Sequence, residues 1–321
     1  MFPGAHVATQ PDRAAVVMAS SGAVQTYAEL DAAANRLAHL LRTVGVEPGD
    51  HVAFCLENHP RYLEIAWGCH YAGSVYTAAS SRLTSGELAY ILEDCAAKVF
   101  ITSAGKADQA AEVHGRAPGV TSHLMVDGTI DGYDAYEEAV AAQSDDPLLA
   151  RVAGTDMLYS SGTTGLPKGV TKEFRESPLE TTPGAVSGLL QLLFGFTADA
   201  VYLSPAPLYH AAPLRFNMGV HTLGGTSIVM EHFDAEDFLR LIERHRVTHT
   251  QVVPTMFVRL LKLPADVRAR YDVSSLRAVV HAAAPCPVPV KQQMIEWFGP
   301  VIHEYYAGTE GNGFVYCDSA Q

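Results

Sequence analysis

The apolar and polar positions of the chain follow two alternating rhythms. One is the three-to-four-residue spacing of an amphipathic helix; the other is the short unbroken apolar run of a strand covered on both faces. The segment TYAELDAAANRLAHLLRTVGV (26–46) opens with Thr26 and Glu29 in a capping-box pattern and carries Leu37, Leu40 and Leu41 at helical spacing. HVAFCL (51–56) reads as a strand, and PRYLEIAWGCHYAG (60–73) as a helix from Pro60 to near Gly73. The capping pattern returns at Thr84 and Glu87, and AKVFIT (97–102) is again strand-like. The second half keeps the alternation, with strands predicted at 156–161, 200–206, 226–231, 248–253, 276–283 and 301–306. The clearest helices between them are 234–246 and 288–299.

Continuous β-branched strands alternating with helices predict an α/β fold with parallel sheets covered on both faces. The strands outnumber what one sheet comfortably holds. The expected architecture is therefore two doubly wound, largely parallel sheets with flanking helices, a first unit over roughly 1–180 and a second over 181–321. The polar, Asp- and Gly-richer stretch 127–155 is the expected connection between layers. Neither internal repeats nor low-complexity segments interrupt the pattern.

Composition narrows this picture by exclusion. The chain is 48% hydrophobic and 18% charged, which is the balance of a soluble globular protein. Thirty-five acidic against 22 basic residues leave a net charge of −13, and no Lys/Arg run offers a nucleic-acid surface. Five scattered cysteines (Cys55, Cys69, Cys95, Cys286, Cys317) show neither CxxC nor zinc-like spacing, so reduced thiols in a cytoplasmic setting are expected. The opening MFPGAHVATQPDRAAVV lacks a signal-peptide pattern, and the apolar run LLQLLFGF is too short to span a bilayer.

The candidate chemistry centres on YSSGTTGLPKGV (159–170), where hydroxyls and flexible peptides surround one cation. It fails the P-loop pattern: aligning Lys168 with the P-loop lysine puts Pro167 at the second glycine and Gly169 at the Mg²⁺-binding hydroxyl. It also lacks the G-x-G pair of a dinucleotide loop. The stretch follows a predicted strand, at a strand end where α/β folds bind ligands.

These residues resemble the signature phosphate loop of the adenylate-forming superfamily, which includes acyl- and aryl-CoA synthetases, peptide-synthetase adenylation domains and beetle luciferases. Every fixed position of the form [YF]-x-S-G-[ST]-T-G-x-P-K-G-[VI] is met. Three further segments arrive in the family's order: PLYHAAPL (207–214), HAAAPCP (281–287) and EYYAGTEG (304–311). The resemblance points to the AMP-dependent CoA ligase branch and covers the whole chain. It implies ATP-dependent activation of a carboxylic acid to an acyl-adenylate, followed by thioesterification to CoA as co-substrate. Ser160, Ser161, Gly162, Thr163, Thr164, Gly165 and Lys168 would then grip the β- and γ-phosphates, with Gly169 also easing the backbone's approach. Ala282, Ala283, Ala284 and Pro285 would lie along the adenine with Tyr305, Tyr306, Ala307 and Gly308. Thr309 would bond the α-phosphate, and Glu310 would hold Mg²⁺. Ala307 stands where the family usually has glycine, with Gly308 one place later.

His210 is implied to border the substrate carboxylate and gate the pocket. No Asp or Glu lies between Val201 and Met230, so an ammonium-bearing substrate would lack a counter-charge. A plain fatty, aryl or other bulky apolar acid is expected. The small residues of GVHTLGGTS (219–227) and Ala282–Ala284 fit either a roomy pocket or close packing. After PKGV the charged TKEFRESPLE departs from many relatives. The family continues past the last segment with a ribose-binding Asp, a hinge and a C-terminal domain carrying a catalytic Lys. The 321 residues are accordingly expected to be an N-terminal piece, with little turnover alone. Three matters stay open: transfer to a carrier protein or reductase instead of CoA, a non-catalytic nucleotide-binding role, and the oligomeric state, a dimer included. Contact with a membrane surface is also left open.

Overall fold

The computed structural model describes residues 2–160, 166–171, 173–184, 186–308 and 313–319. Its strands in chain order are β1 Ala14–Met18, β2 Val24–Thr26, β3 His51–Cys55, β4 Val75–Ala78, β5 Ala97–Ser103 and β6 Ser122–Val126. They continue with β7 Asp134–Ala135, β8 Thr155–Asp156, β9 Leu158–Ser160, β10 Lys168–Val170 and β11 Val201–Ser204. The last are β12 Thr226–Val229, β13 His249–Val252, β14 Ala278–His281, β15 Ile302–Ala307 and β16 Phe314–Asp318. The chain forms two compact units: Met1–Asp12 with Tyr27–Thr182 and Leu208–Ala211, and Arg13–Thr26 with Pro183–Pro207 and Ala212–Gln321.

The first unit is built on a six-stranded parallel sheet of order β7-β6-β5-β3-β4-β8. Its central strands are buried almost throughout, as continuous apolar runs require. Helix Tyr62–Tyr71 carries buried residues nearly all round. Its Gly68 faces helix Tyr27–Thr43 so closely that an added Cβ would lie 2.6 Å from Leu37. The capping box forms at Thr84: the Glu87 N–H donates to Thr84 Oγ1 at 3.3 Å, and the Thr84 N–H to Glu87 Oε2 at 2.8 Å. Thr26 instead closes strand β2, and the helix begins at Tyr27. The stretch 127–155, expected as a connection between layers, lies within this unit. It supplies edge strand β7, and its helix Tyr136–Ala141 sinks the Tyr136 ring fully and brings its hydroxyl 3.2 Å from Glu64.

The second unit contains an eight-stranded sheet of order β16-β15-β14-β13-β11-β12-β1-β2. Six strands run parallel, and β16 and β2 are antiparallel edges. The N-terminal strand β1 docks beside β12, so this unit borrows residues from the start of the chain. Helix Ala235–His245 is capped by Asp234, whose Oδ1 accepts from the Glu236 and Asp237 N–H groups at 2.9 and 3.0 Å. Its Phe238, Leu239 and Ile242 join Phe257, Leu260, Met294 and Ile302 in one core. None of the described helices is long and apolar enough to cross a membrane.

Candidate active site

The described part of the signature stretch begins in a strand, as expected. The predicted strand 156–161 divides into β8, which joins the six-stranded sheet, and β9, which pairs antiparallel with β10. The resulting hairpin sets Lys168 opposite Ser160, Gly169 opposite Tyr159 and Val170 opposite Leu158. Ser161, Gly162, Thr163, Thr164 and Gly165, between the two strands, lie outside the described residues. Lys168 is exposed beside Ser160, so one cation and one hydroxyl share the hairpin's described end.

The need for glycine at 169 is steric and comes from packing. Its φ is not in the left-handed region, but a Cβ there would lie 2.2 Å from Met157 Cε and 3.0 Å from the Tyr159 ring. Tyr159 is held in place. Its hydroxyl donates to Asp94 Oδ2 at 2.5 Å, and burial, reinforced by this carboxylate, pushes the phenol's pKa up. Tyr90, one turn earlier on helix Ser85–Asp94, donates to the Pro167 carbonyl at 3.3 Å. Both strands of the hairpin are thus tied to one helix. Sequence reading missed Tyr90 and Asp94; their i, i+4 spacing on a helix is visible, but nothing in it names the hairpin as their partner.

His210 belongs to the first unit through the short segment Leu208–Ala211. The Leu208 N–H anchors this segment by donating to Asn58 Oδ1 at 2.8 Å, and the Tyr209 and His210 rings lie 4.4 Å apart. His210 is exposed to solvent, and partial desolvation by its neighbours, with the Arg82 guanidinium adding to it, moves the imidazole's titration below its ordinary range. At neutral pH it is an uncharged donor and acceptor. The same unit holds a cavity of about 610 Å³ whose lining includes Arg82, Lys106 and the capped start of helix Ser85–Asp94.

In the second unit, β14 leads into the turn containing Ala282–Pro285. Ala282 is buried, whereas Ala283, Ala284 and Pro285 are exposed. Ala283 has φ +73°, a left-handed backbone that L-residues other than glycine adopt at a cost. On β15 the pleat separates the two tyrosines. Tyr305 stacks between Phe216 (6.3 Å) and Phe314 (5.2 Å), and burial pushes its hydroxyl up to about 12. Tyr306 is 79% exposed and presents an open ring, with Ala307 and Gly308 exposed after it. Thr309 and Glu310 lie outside the described residues. Among those described, no group of three His, Cys, Asp or Glu side chains could hold a metal ion.

Packing accounts for two of the small residues weighed as pocket space. A Cβ on Gly219 would meet Leu190 at 2.5 Å, and one on Gly225 would meet the Ala200 carbonyl at 2.8 Å. Both glycines let neighbouring elements close up.

The parallel α/β fold and the chain order of these segments agree with the resemblance drawn from the sequence. The chain belongs to the AMP-binding enzyme family, whose model matches residues 4–321. It is similar to a feruloyl-CoA synthase from an Amycolatopsis species, with 34% identity over 88% of this chain and 54% of the relative. It is also similar to the 4-coumarate–CoA ligase CCL1 of Humulus lupulus, with 30% identity over 85% of this chain and 50% of the relative. The chain therefore spans about half the length of these curated relatives. Among solved structures, the inhibitor-bound N-terminal domain of FACL13 from Mycobacterium tuberculosis superposes with a TM-score of 0.85 at 26% identity. That match covers 99% of this chain and 78% of the other.

Proposed function

We propose that this chain carries the nucleotide- and acid-binding part of an AMP-forming acid–CoA ligase acting on an apolar carboxylic acid. The observation that carries the reading is the hairpin that sets Lys168 beside Ser160 in a stretch meeting every position of the adenylating signature. A carboxylate and a phosphate about 4 Å apart repel by about 1 kcal/mol in water and several-fold more in a drier site. Lys168 supplies a compact positive charge toward the phosphates, and hydroxyls such as Ser160 add donors that follow the charge onto departing pyrophosphate. The exposed ring of Tyr306 and the turn Ala282–Pro285 offer a flat, small-residue surface suited to adenine. Neutral His210 can hydrogen-bond the incoming carboxylate without drawing it into a tight ion pair. Glu310 offers the hard oxygen donor that Mg²⁺ selects, and the ion when bound would offset phosphate charge.

The acyl carbon of the resulting acyl-adenylate would then be attacked by the CoA thiolate, releasing AMP. Aryl acids come first among substrates because the feruloyl and coumarate relatives are named for them; fatty acids come second. The test is pyrophosphate release by the whole protein across a panel of aryl and fatty acids, with and without CoA. Lys168→Ala should lower the rate by roughly 10²–10³, the effect of removing one preorganised donor. Near-normal release by that variant would overturn the assignment.

A further inference from the structure

Beneath the two adenine segments lies a charged layer that the mechanism above does not use. Three strand positions fall in register across the sheet: His281 of β14 opposite Glu304 of β15, and Glu304 opposite Cys317 of β16. Lys291, early in helix Val288–Phe298, closes the layer. Its Nζ donates to Glu304 Oε2 at 2.7 Å and lies 3.6 Å from Cys317 Sγ. His281 is fully buried, and neither ring nitrogen has a hydrogen-bond partner. Its Nε2 stands 3.7 Å from the same Glu304 oxygen, and the Phe257 ring flanks it at 5.3 Å.

The chain order gives this layer its significance. His281 directly precedes Ala282, Glu304 directly precedes Tyr305, and Lys291 sits on the helix that the turn leads into. The Lys291–Glu304 contact therefore bridges the far end of the turn to the strand carrying Tyr306. We propose that Lys291 and Glu304 are positioning residues for the nucleotide, their ion pair holding the turn Ala282–Pro285 and Tyr306 in one geometry. This inference rests on the adenine reading of those segments and goes beyond it by naming what sets their spacing. The left-handed Ala283 is consistent with a turn held from outside, because a backbone in that region persists only when its surroundings impose it.

His281 gives the proposal a specific signature. The charged and titratable groups around it are Glu304 from β15 and Lys291 from the helix, with the Cys286 and Cys317 thiols nearby. Burial holds the imidazole down at about 4 against the upward pull of the Glu304 carboxylate, with a smaller lowering from Lys291, so it is neutral at pH 7. Removing Lys291 leaves the Glu304 carboxylate facing His281 alone. The carboxylate, which favours the charged imidazole, is then unopposed, so His281 titrates higher than in the parent.

The experiment measures ATP affinity directly by calorimetry on the whole protein, which needs no turnover, at pH 8 and pH 6. Lys291→Met should weaken ATP binding about tenfold at pH 8, the lower end of what losing an outer support costs at metal sites. The loss should be the same at pH 6, where burial still keeps the imidazole largely neutral, while the His281 ring proton signal titrates at a higher pH than in the parent. Glu304→Gln should weaken binding equally at both pH values, and Lys291→Arg should bind as the parent does. Unchanged affinity in Lys291→Met and Glu304→Gln while the parent binds ATP overturns this inference alone. A melting-temperature drop with unchanged affinity also overturns it, since the pair would then be merely structural. If the parent itself fails to bind ATP, the reading of the site falls and takes the inference with it.

Discussion

Replacing Gly169 with alanine puts one methyl group against the side chains of Met157 and Tyr159 on the paired strand and its approach. That Cβ would lie 2.2 Å from Met157 Cε, 3.0 Å from Tyr159 Cζ and 3.1 Å from the Tyr159 hydroxyl oxygen. The Met157 contact is relieved by turning the free end of a flexible side chain, at little cost. The Tyr159 contact is different, because Gly169 and Tyr159 are direct cross-strand partners and the ring is tethered to Asp94 at 2.5 Å. The ring can retreat only by lengthening that bond, or else the strands must part. Overpacking of this kind costs about 1–3 kcal/mol, and a hydrogen bond to a carboxylate contributes about 1.5–3 kcal/mol when fully formed. Asp94 is exposed, so the lower end of both ranges applies, giving about 1–2 kcal/mol for Gly169→Ala. Tyr159→Phe removes both the tether and the hydroxyl contact. In that background Gly169→Ala should cost about 1 kcal/mol less than in the parent. Urea unfolding of the four proteins, followed through the hairpin's amide hydrogen exchange, measures the difference. Effects that add to within about 0.5 kcal/mol would show the two residues to be independent and refute the tether argument.

Two further predictions concern the second unit. Ala283→Gly should stabilise the turn by about 1 kcal/mol by removing the Cβ penalty at φ +73°, and Ala283→Val should destabilise it; equal melting temperatures would contradict a strained turn. Buried His249 and His281 both titrate at about 4 when folded, held there chiefly by burial, against about 6.5 when unfolded. The unfolded chain therefore binds more protons between those values, and stability should be full above pH 6.5 and fall as the pH drops toward 4, by up to about 3 kcal/mol per imidazole. A melting temperature flat from pH 7 to 5 would exclude this.

Much of the architecture is legible locally. Period and capping residues place the helix after Thr84 and the buried strands β3, β5, β11 and β13, because each depends on neighbours a few residues away. The short strand β7 is not legible, nor is the division of the predicted strand 156–161 into β8 and β9, since two or three residues carry no period of their own and are defined by the strand beside them. The signature at 159–170 is equally readable as chemistry. Its form as a hairpin is not, because the antiparallel return of Lys168–Val170 onto Leu158–Ser160 is a pairing between strands rather than a property of either.

The sequence by itself therefore determined the class of fold, through period and short spacing, and the family, through the resemblance of its signature stretch. Tertiary structure alone decided three other matters. It put β1 into the second unit beside β12 and Leu208–Ala211 into the first. It set Gly169 against the ring of Tyr159. It stacked His281, Glu304 and Cys317 in register under Lys291. Each is a contact between residues remote in the chain, set by strand order and register, and the free energy that selects it appears only when the sheets close.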